Sequence, residues 1–148
     1  MNNYEKAVKD LAPCGVDCSR CASFSKGDIV QLSSQLKENL INFENLAENM
    51  KDFMPIFKYY KEFSAILDHF SKGKCPGCRY TDKPECQCSI NTCSKKNKIN
   101  FCFECKKYPC NPTTFNESIK KKWKENNDKM NSIGVDNFFL KQKAKSRY

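Results

Sequence analysis

The spacing of cysteine constrains this chain more than any other feature. Eleven of its 148 residues are cysteine, and they stand in short groups. Cys14, Cys18 and Cys21 form the first group, and Cys75 and Cys78 the second. Cys86, Cys88 and Cys93 form the third, and Cys102, Cys105 and Cys110 the last. A two-residue gap lets one tight turn aim both sulfurs at a common point, which suits zinc or an iron–sulfur cluster. In Cys75-Pro76-Gly77-Cys78 the proline fixes one turn angle. The glycine admits a positive φ, so the backbone amides face the sulfurs. Cys18-Ser19-Arg20-Cys21 and Cys102-Phe103-Glu104-Cys105 repeat the spacing. Spacing does not say which turns share an ion. Eleven cysteines with the sole histidine, His69, would fill three tetrahedral sites, whereas two four-cysteine sites would leave three thiols over.

Disulfides are the competing use of so many cysteines. An odd count argues against them, as does the lack of an apolar secretion signal over Met1–Ala12. No run approaches the roughly 18 apolar residues of a membrane span. The expectation is a reduced cytoplasmic protein with no membrane partner, its thiols available to metal.

The formal charge of +9 is unevenly placed. Residues 1–73 hold nine basic and ten acidic side chains, and residues 74–148 hold seventeen and seven. Such a basic half points to a polyanion. Four thiolates around one Zn²⁺, however, leave roughly two negative charges per site. Lys74, Lys95, Lys96, Lys98, Lys106 and Lys107 stand among the cysteines and would offset them. Arginine, the better reader of bases and phosphates, occurs only at positions 20, 79 and 147. Charge balance is therefore preferred to a nucleic-acid patch.

Periodicity predicts a mainly α protein. Tyr4, Val8 and Leu11 mark a short helix that Pro13 stops. From Asp28, a plausible N-cap, apolar residues at Ile29, Leu32, Leu36, Leu40, Phe43, Ala47, Met50 and Met54 predict one helix of about seven turns. Pro55 opens a second helix with Ile56, Tyr59, Phe63, Ile66 or Leu67, and Phe70 on one face, and Gly73 stops it. Together these make an aromatic-rich helical hairpin over about 28–72, one able to line an apolar pocket. Residues 74–112 show neither helical nor strand periodicity and carry eight cysteines. Metal would organise this stretch of loops. C-terminal helices follow over about 114–146. Thr114 with Glu117 reads as a capping box, and Ile119, Trp123, Met130 and Ile133 form one face. Gly134 ends that helix and Asp136 caps a last one with Phe138, Phe139 and Leu140. Trp123 stands among Lys120, Lys121, Lys122 and Lys124, where it could stack on a base. Its spacing places it in the core instead.

Cys14-x3-Cys18-x2-Cys21 has the spacing of the radical S-adenosylmethionine triplet, but Arg20 replaces the usual aromatic residue and the chain has no alternating strands and helices. A thioredoxin-like pair needs a strand–turn–helix setting that is absent. His69, near the end of a helix beside Phe70, reads as an ordinary half-exposed histidine rather than a ligand. Asp82, Glu85 and Glu104 form no recognisable acid–base set.

Taken together, the motifs resemble a bacterial and archaeal cysteine-rich family known as domain of unknown function 3795. The residues that carry the resemblance are Cys14–Cys21, Cys75-Pro76-Gly77-Cys78-Arg79, Cys88–Cys93 and Cys102–Cys110, the last ending Tyr-Pro-Cys. Trp123, Asn126, Asn127, Met130, Ile133-Gly134-Val135, Phe139 and Arg147-Tyr148 agree as well. Asn91 departs from it, where the family often has arginine. The resemblance implies a small metal-binding protein and no particular reaction. The expectation over 1–148 is a single small helical domain with an irregular, metal-organised cysteine-rich segment. Its cysteines would hold two or three zinc ions, in preference to an iron–sulfur cluster. It would act as a non-catalytic binding or adaptor module, with another protein among the partners such a module could take. The alternatives are an iron–sulfur or redox enzyme, and a nucleic-acid binder through the basic half.

Overall fold

A polar side chain starts the first helix. Asn2 accepts from the Glu5 amide at 2.9 Å and its own amide donates to the Glu5 carboxylate at 3.0 Å, a reciprocal cap for α1 (Asn3–Asp10). The computed structural model describes residues 1–83, 88–112 and 115–148. Glu85, Cys86 and Thr114 therefore lie outside the described residues. Among those described, the protein is mainly helical, with seven α-helices, short 3-10 turns and isolated bridge residues, Leu11 pairing antiparallel with Asp17. No helix is long and apolar enough to cross a membrane. The chain divides into two compact units, one of Met1–Ser19 with Cys75–Tyr148 and one of Arg20–Lys74.

In the first unit α1 and α6 (Glu117–Ile133) both pack on α7 (Val135–Lys143). The core between them holds Ala7, Leu11, Phe101, Met130, Val135, Phe138 and Phe139. Burial of each large side chain here contributes roughly 1.5–3 kcal/mol. Arg79 stacks its guanidinium 5.0 Å from the Phe101 ring centre.

Two expectations are corrected in this unit. The stretch read as wholly irregular contains α5 (Ser89–Asn97). Its buried face is Ile90, Asn91 and Ser94, so two of three inward positions are polar and leave no hydrophobic period. Capping also differs. Asn116 caps α6 by accepting from the Ile119 amide at 2.9 Å, and Gly134, not Asp136, stands at the N-terminus of α7. Ile119 is about half exposed, whereas Trp123 and Met130 are buried as their spacing predicts.

The second unit is built on α2 (Asp28–Asn39) packed along α4 (Tyr60–Ser71), with α3 (Phe43–Met50) and a 3-10 turn (Pro55–Tyr59) joining them. Val30, Ala47 and Leu67 are its buried apolar residues. The predicted seven-turn helix is broken. Asn42 adopts a left-handed conformation, φ 65°, between α2 and α3, although the apolar spacing runs unbroken through it. Asparagine is among the few residues that enter this region readily, and the break lets α3 turn away. Gly27 rather than Asp28 takes the N-cap of α2. Pro55 begins a 3-10 turn rather than the second α-helix itself, which starts at Tyr60 and leaves Ile56 and Tyr59 outside it. α4 ends at Ser71, just before Gly73, where a Cβ would fall 2.4 Å from Val30 Cγ2.

Candidate metal centre

The turn carrying Cys14 is set by two backbone bonds. Ala12 N donates to Val16 O, and Gly15 N to Ala12 O, each at 2.8 Å. Gly15 sits at φ +83°, and a Cβ there would lie 2.7 Å from Asn126 Cβ. Only glycine lets the turn lie this close to α6. A second turn meets it through Cys102 N, which donates to Pro13 O at 3.0 Å. A third carries Cys78. Its Gly77 has φ 100°, the conformation expected of the Cys-Pro-Gly-Cys sequence.

Three polar side chains fasten these turns. Asn127, fully buried on α6, accepts from Phe103 N at 3.1 Å and donates to Cys14 O at 3.3 Å and to Trp123 O at 3.0 Å. Arg79, directly after Cys78, donates to Leu11 O at 2.7 Å and Asn100 O at 2.6 Å. Glu104 accepts from the amides of Asn100 and Phe101 at 2.8 and 3.2 Å, ordering the chain before Cys102. Beyond the turns, Lys143 pairs with Asp10 at 2.9 Å and with buried Asp17 at 3.2 Å, anchoring the stretch between Cys14 and Cys18 to α7.

Several cysteines pack together within this frame. Cys14, Cys78 and Cys102 are buried in one cluster with Ala12, Ile90 and Trp123, and Cys18 and Cys88 pack against it. The ten described cysteines carry thiols rather than disulfides. Burial pushes the Cys14 thiol well above its ordinary value. A backbone hydrogen bond with Val16 works against this, and neighbouring Cys88, Cys18 and Cys78 add to it. Cys102 is pushed up to about 11, first by burial, with the Trp123 indole opposing and Cys110, Cys93 and Cys88 contributing. Cys88 thus stands within electrostatic reach of both buried thiols. The Trp123 Nε1–H is buried without a partner at hydrogen-bond geometry, yet lies near enough to Cys102 to favour its thiolate. The charge of Arg79 also lies beside Cys78, Cys18 and Cys14.

Of the predicted ligands, Cys14, Cys18, Cys78, Cys88 and Cys102 come together. Cys93 and Cys110 are exposed but within range of Cys102. Cys75 and Cys105 are half-buried and are not among the packed thiols, and Cys21 lies in the second unit. No three His, Cys, Asp or Glu side chains among the described residues are placed to hold one ion. The donor chemistry nonetheless fits a thiophilic cation. Several thiols share one interior, an indole N–H and a guanidinium are at hand, and a metal would take the sulfurs as thiolates.

The other candidates have structural duties or stand apart. His69 is exposed on α4 with its ring 5.8 Å from that of Phe70. Asp82 is exposed and paired to Lys95 at 2.6 Å, which lowers its pKa, and Glu104 is occupied by backbone amides. Trp123 is buried against Tyr108 and Phe115, so it has no face to offer a base. Sequence reasoning named Arg79 and Asn127 only as residues that carry the family resemblance, without a role, and missed the Lys143–Asp17 pair. Only the position of Arg79 directly behind Cys78 could have flagged its role.

A family model described as "Protein of unknown function (DUF3795)" matches residues 10–115, which include every cysteine of the chain. No curated protein and no solved structure matches the chain.

Proposed function

The chain belongs to the DUF3795 family, and we propose that it is a zinc protein whose cysteine thiolates hold the ion as part of the folded first unit, and which acts by binding rather than by catalysis. The observation that carries this is the shared interior of Cys14, Cys18, Cys78, Cys88 and Cys102, reached from four separated stretches of chain. Packing alone has no need of so many sulfurs at one place, whereas a tetrahedral thiolate site does. Cys14, Cys18, Cys78 and Cys88 form one candidate set. Cys102 with Cys93 and Cys110 forms the start of another. When bound, zinc would supply a fixed positive charge that keeps the sulfurs ionised and crosslinks the turns. Arg79 would offset part of the remaining negative charge, and Asn127 would hold two of the turns in register. All-cysteine coordination leaves no open position for water or substrate, which favours a structural role.

Elemental analysis of protein purified without oxygen, together with its visible spectrum, tests the proposal. The expected result is zinc alone and no colour. Iron with a brown absorption would replace zinc by a cluster, and metal-free protein with intact turns would end the proposal.

A further inference from the structure

The thiol cluster makes no use of the aromatic face of the second unit. Leu40, Phe43, Ile56, Phe57, Tyr60 and Phe63 help to line a depression of about 360 Å³ there. That volume lies within the range of small-molecule sites, roughly 300–1,000 Å³. Its walls brace one another. Phe43 lies 5.7 Å from Phe57 and 5.3 Å from Tyr60, and Tyr60 lies 6.0 Å from Phe63, ring centre to ring centre. No lining side chain carries a charge.

A neighbouring depression of about 240 Å³ shares the walls Phe57 and Tyr60 and is lined by Glu44, Glu48, Lys51, Lys58 and Lys61. Lys51 is paired to Glu48. Lys58 and Lys61, three residues apart, have no ion pair among the described residues; Lys61 also reaches the charge of Glu48, so the three lysines exceed the two acids of this lining by one charge. An apolar slot therefore opens beside a surplus of positive charge.

We infer that this is a binding site for a small apolar carboxylic acid, its hydrocarbon or aryl body in the aromatic slot and its carboxylate toward Lys58 and Lys61. Charge complementarity selects this occupant. An uncharged body suits walls that would strip a charged group of water, and the adjoining cations suit an anionic end. The site is independent of metal.

The test uses the full-length protein and the neutral dye N-phenyl-1-naphthylamine, whose fluorescence rises in apolar surroundings, with decanoate and decanol as competitors. The expected result is saturable one-to-one dye binding, displaced by decanoate at about threefold to fivefold lower concentration than by decanol, the worth of one exposed ion pair. Ile56→Glu, at a position 66% exposed, should weaken the dye by at least about tenfold without disturbing the helices, because it sets a charge in the slot. Leu32→Glu, equally exposed on α2 but outside the lining, should leave dye binding unchanged. Combined Lys58→Gln and Lys61→Gln should make the two competitors equal. Absence of saturable binding, retention of full affinity in Ile56→Glu, or equal displacement by acid and alcohol in the unaltered protein would overturn the inference. Sedimentation revealing a dimer that Ile56→Glu dissociates would assign the face to a second copy instead.

Discussion

Asn127 ties two cysteine turns together from the interior. It is fully buried, and its amide spans three backbone groups, of which Phe103 N and Cys14 O belong to different cysteine turns. Asn127→Leu keeps the branched shape but strands both groups in the interior. Each orphaned group costs about 1–3 kcal/mol, so a loss on the order of 2–5 kcal/mol is expected. Urea denaturation followed by dichroism measures it. Asn127→Asp retains the acceptor for Phe103 N and loses the donors, so it should separate the two contributions. A loss under about 1 kcal/mol in Asn127→Leu would mean that the two turns hold their register without this side chain. Nothing in the sequence singles Asn127 out by chemistry. It is a polar residue in the charged run Lys120–Lys129, and only the fold turns it inward.

At the scale of elements, legibility followed side-chain pattern. α1, α4, α6 and α7 were readable because apolar residues recur every three or four positions and caps or glycines punctuate them. The break between α2 and α3 was not, since Leu40, Phe43 and Ala47 keep helical spacing across it. α5 was invisible for the opposite reason, because Asn91 and Ser94 occupy its inner face. The cysteines of the candidate site were plain, but their grouping depends on loops that bring position 14 beside 78, 88 and 102. Two predictions follow from the second unit. Asn42→Val places a β-branched residue at φ 65° and should destabilise the α2–α3 corner by about 1–2 kcal/mol, whereas Asn42→Gly should not. Thermal melts of the pair distinguish them. Asp68 on α4 accepts hydrogen bonds from Lys37 on α2 and from Lys72, which lower its pKa to about 2 from an ordinary 3.8. Because the folded value is the lower one, its stabilising contribution is complete above about pH 4 and disappears as pH falls through about 2. NMR titration of the Asp68 side chain should give that midpoint. High salt should raise it, since the group is exposed and its partners are screened.

For the whole molecule, the proposed metal and the division into two units make a joint demand. Helical packing of α2 on α4 around Val30 and Leu67 gives the second unit its own apolar support, and its only cysteine is Cys21. The first unit keeps a helical core of α1, α6 and α7, but its described residues between Cys75 and Cys110 are, apart from α5, mostly short turns whose cysteines pack together. Structural zinc contributes about 10–16 kcal/mol in small domains, as much as the net stability of a whole domain. Removing it should therefore be local and severe. In hydrogen exchange read by mass spectrometry, a strong chelator should strip protection from peptides covering residues 11–19 and 75–110. Protection in α2 and α4 should persist. Cys78→Ser should reproduce the pattern without chelator, because that sulfur is buried in the cluster. If α2 and α4 lost protection in step with the cysteine turns, the two units would be one cooperative body. If neither region responded, the turns would be held by Asn127, Arg79 and Glu104 alone, and metal would have no part in the fold.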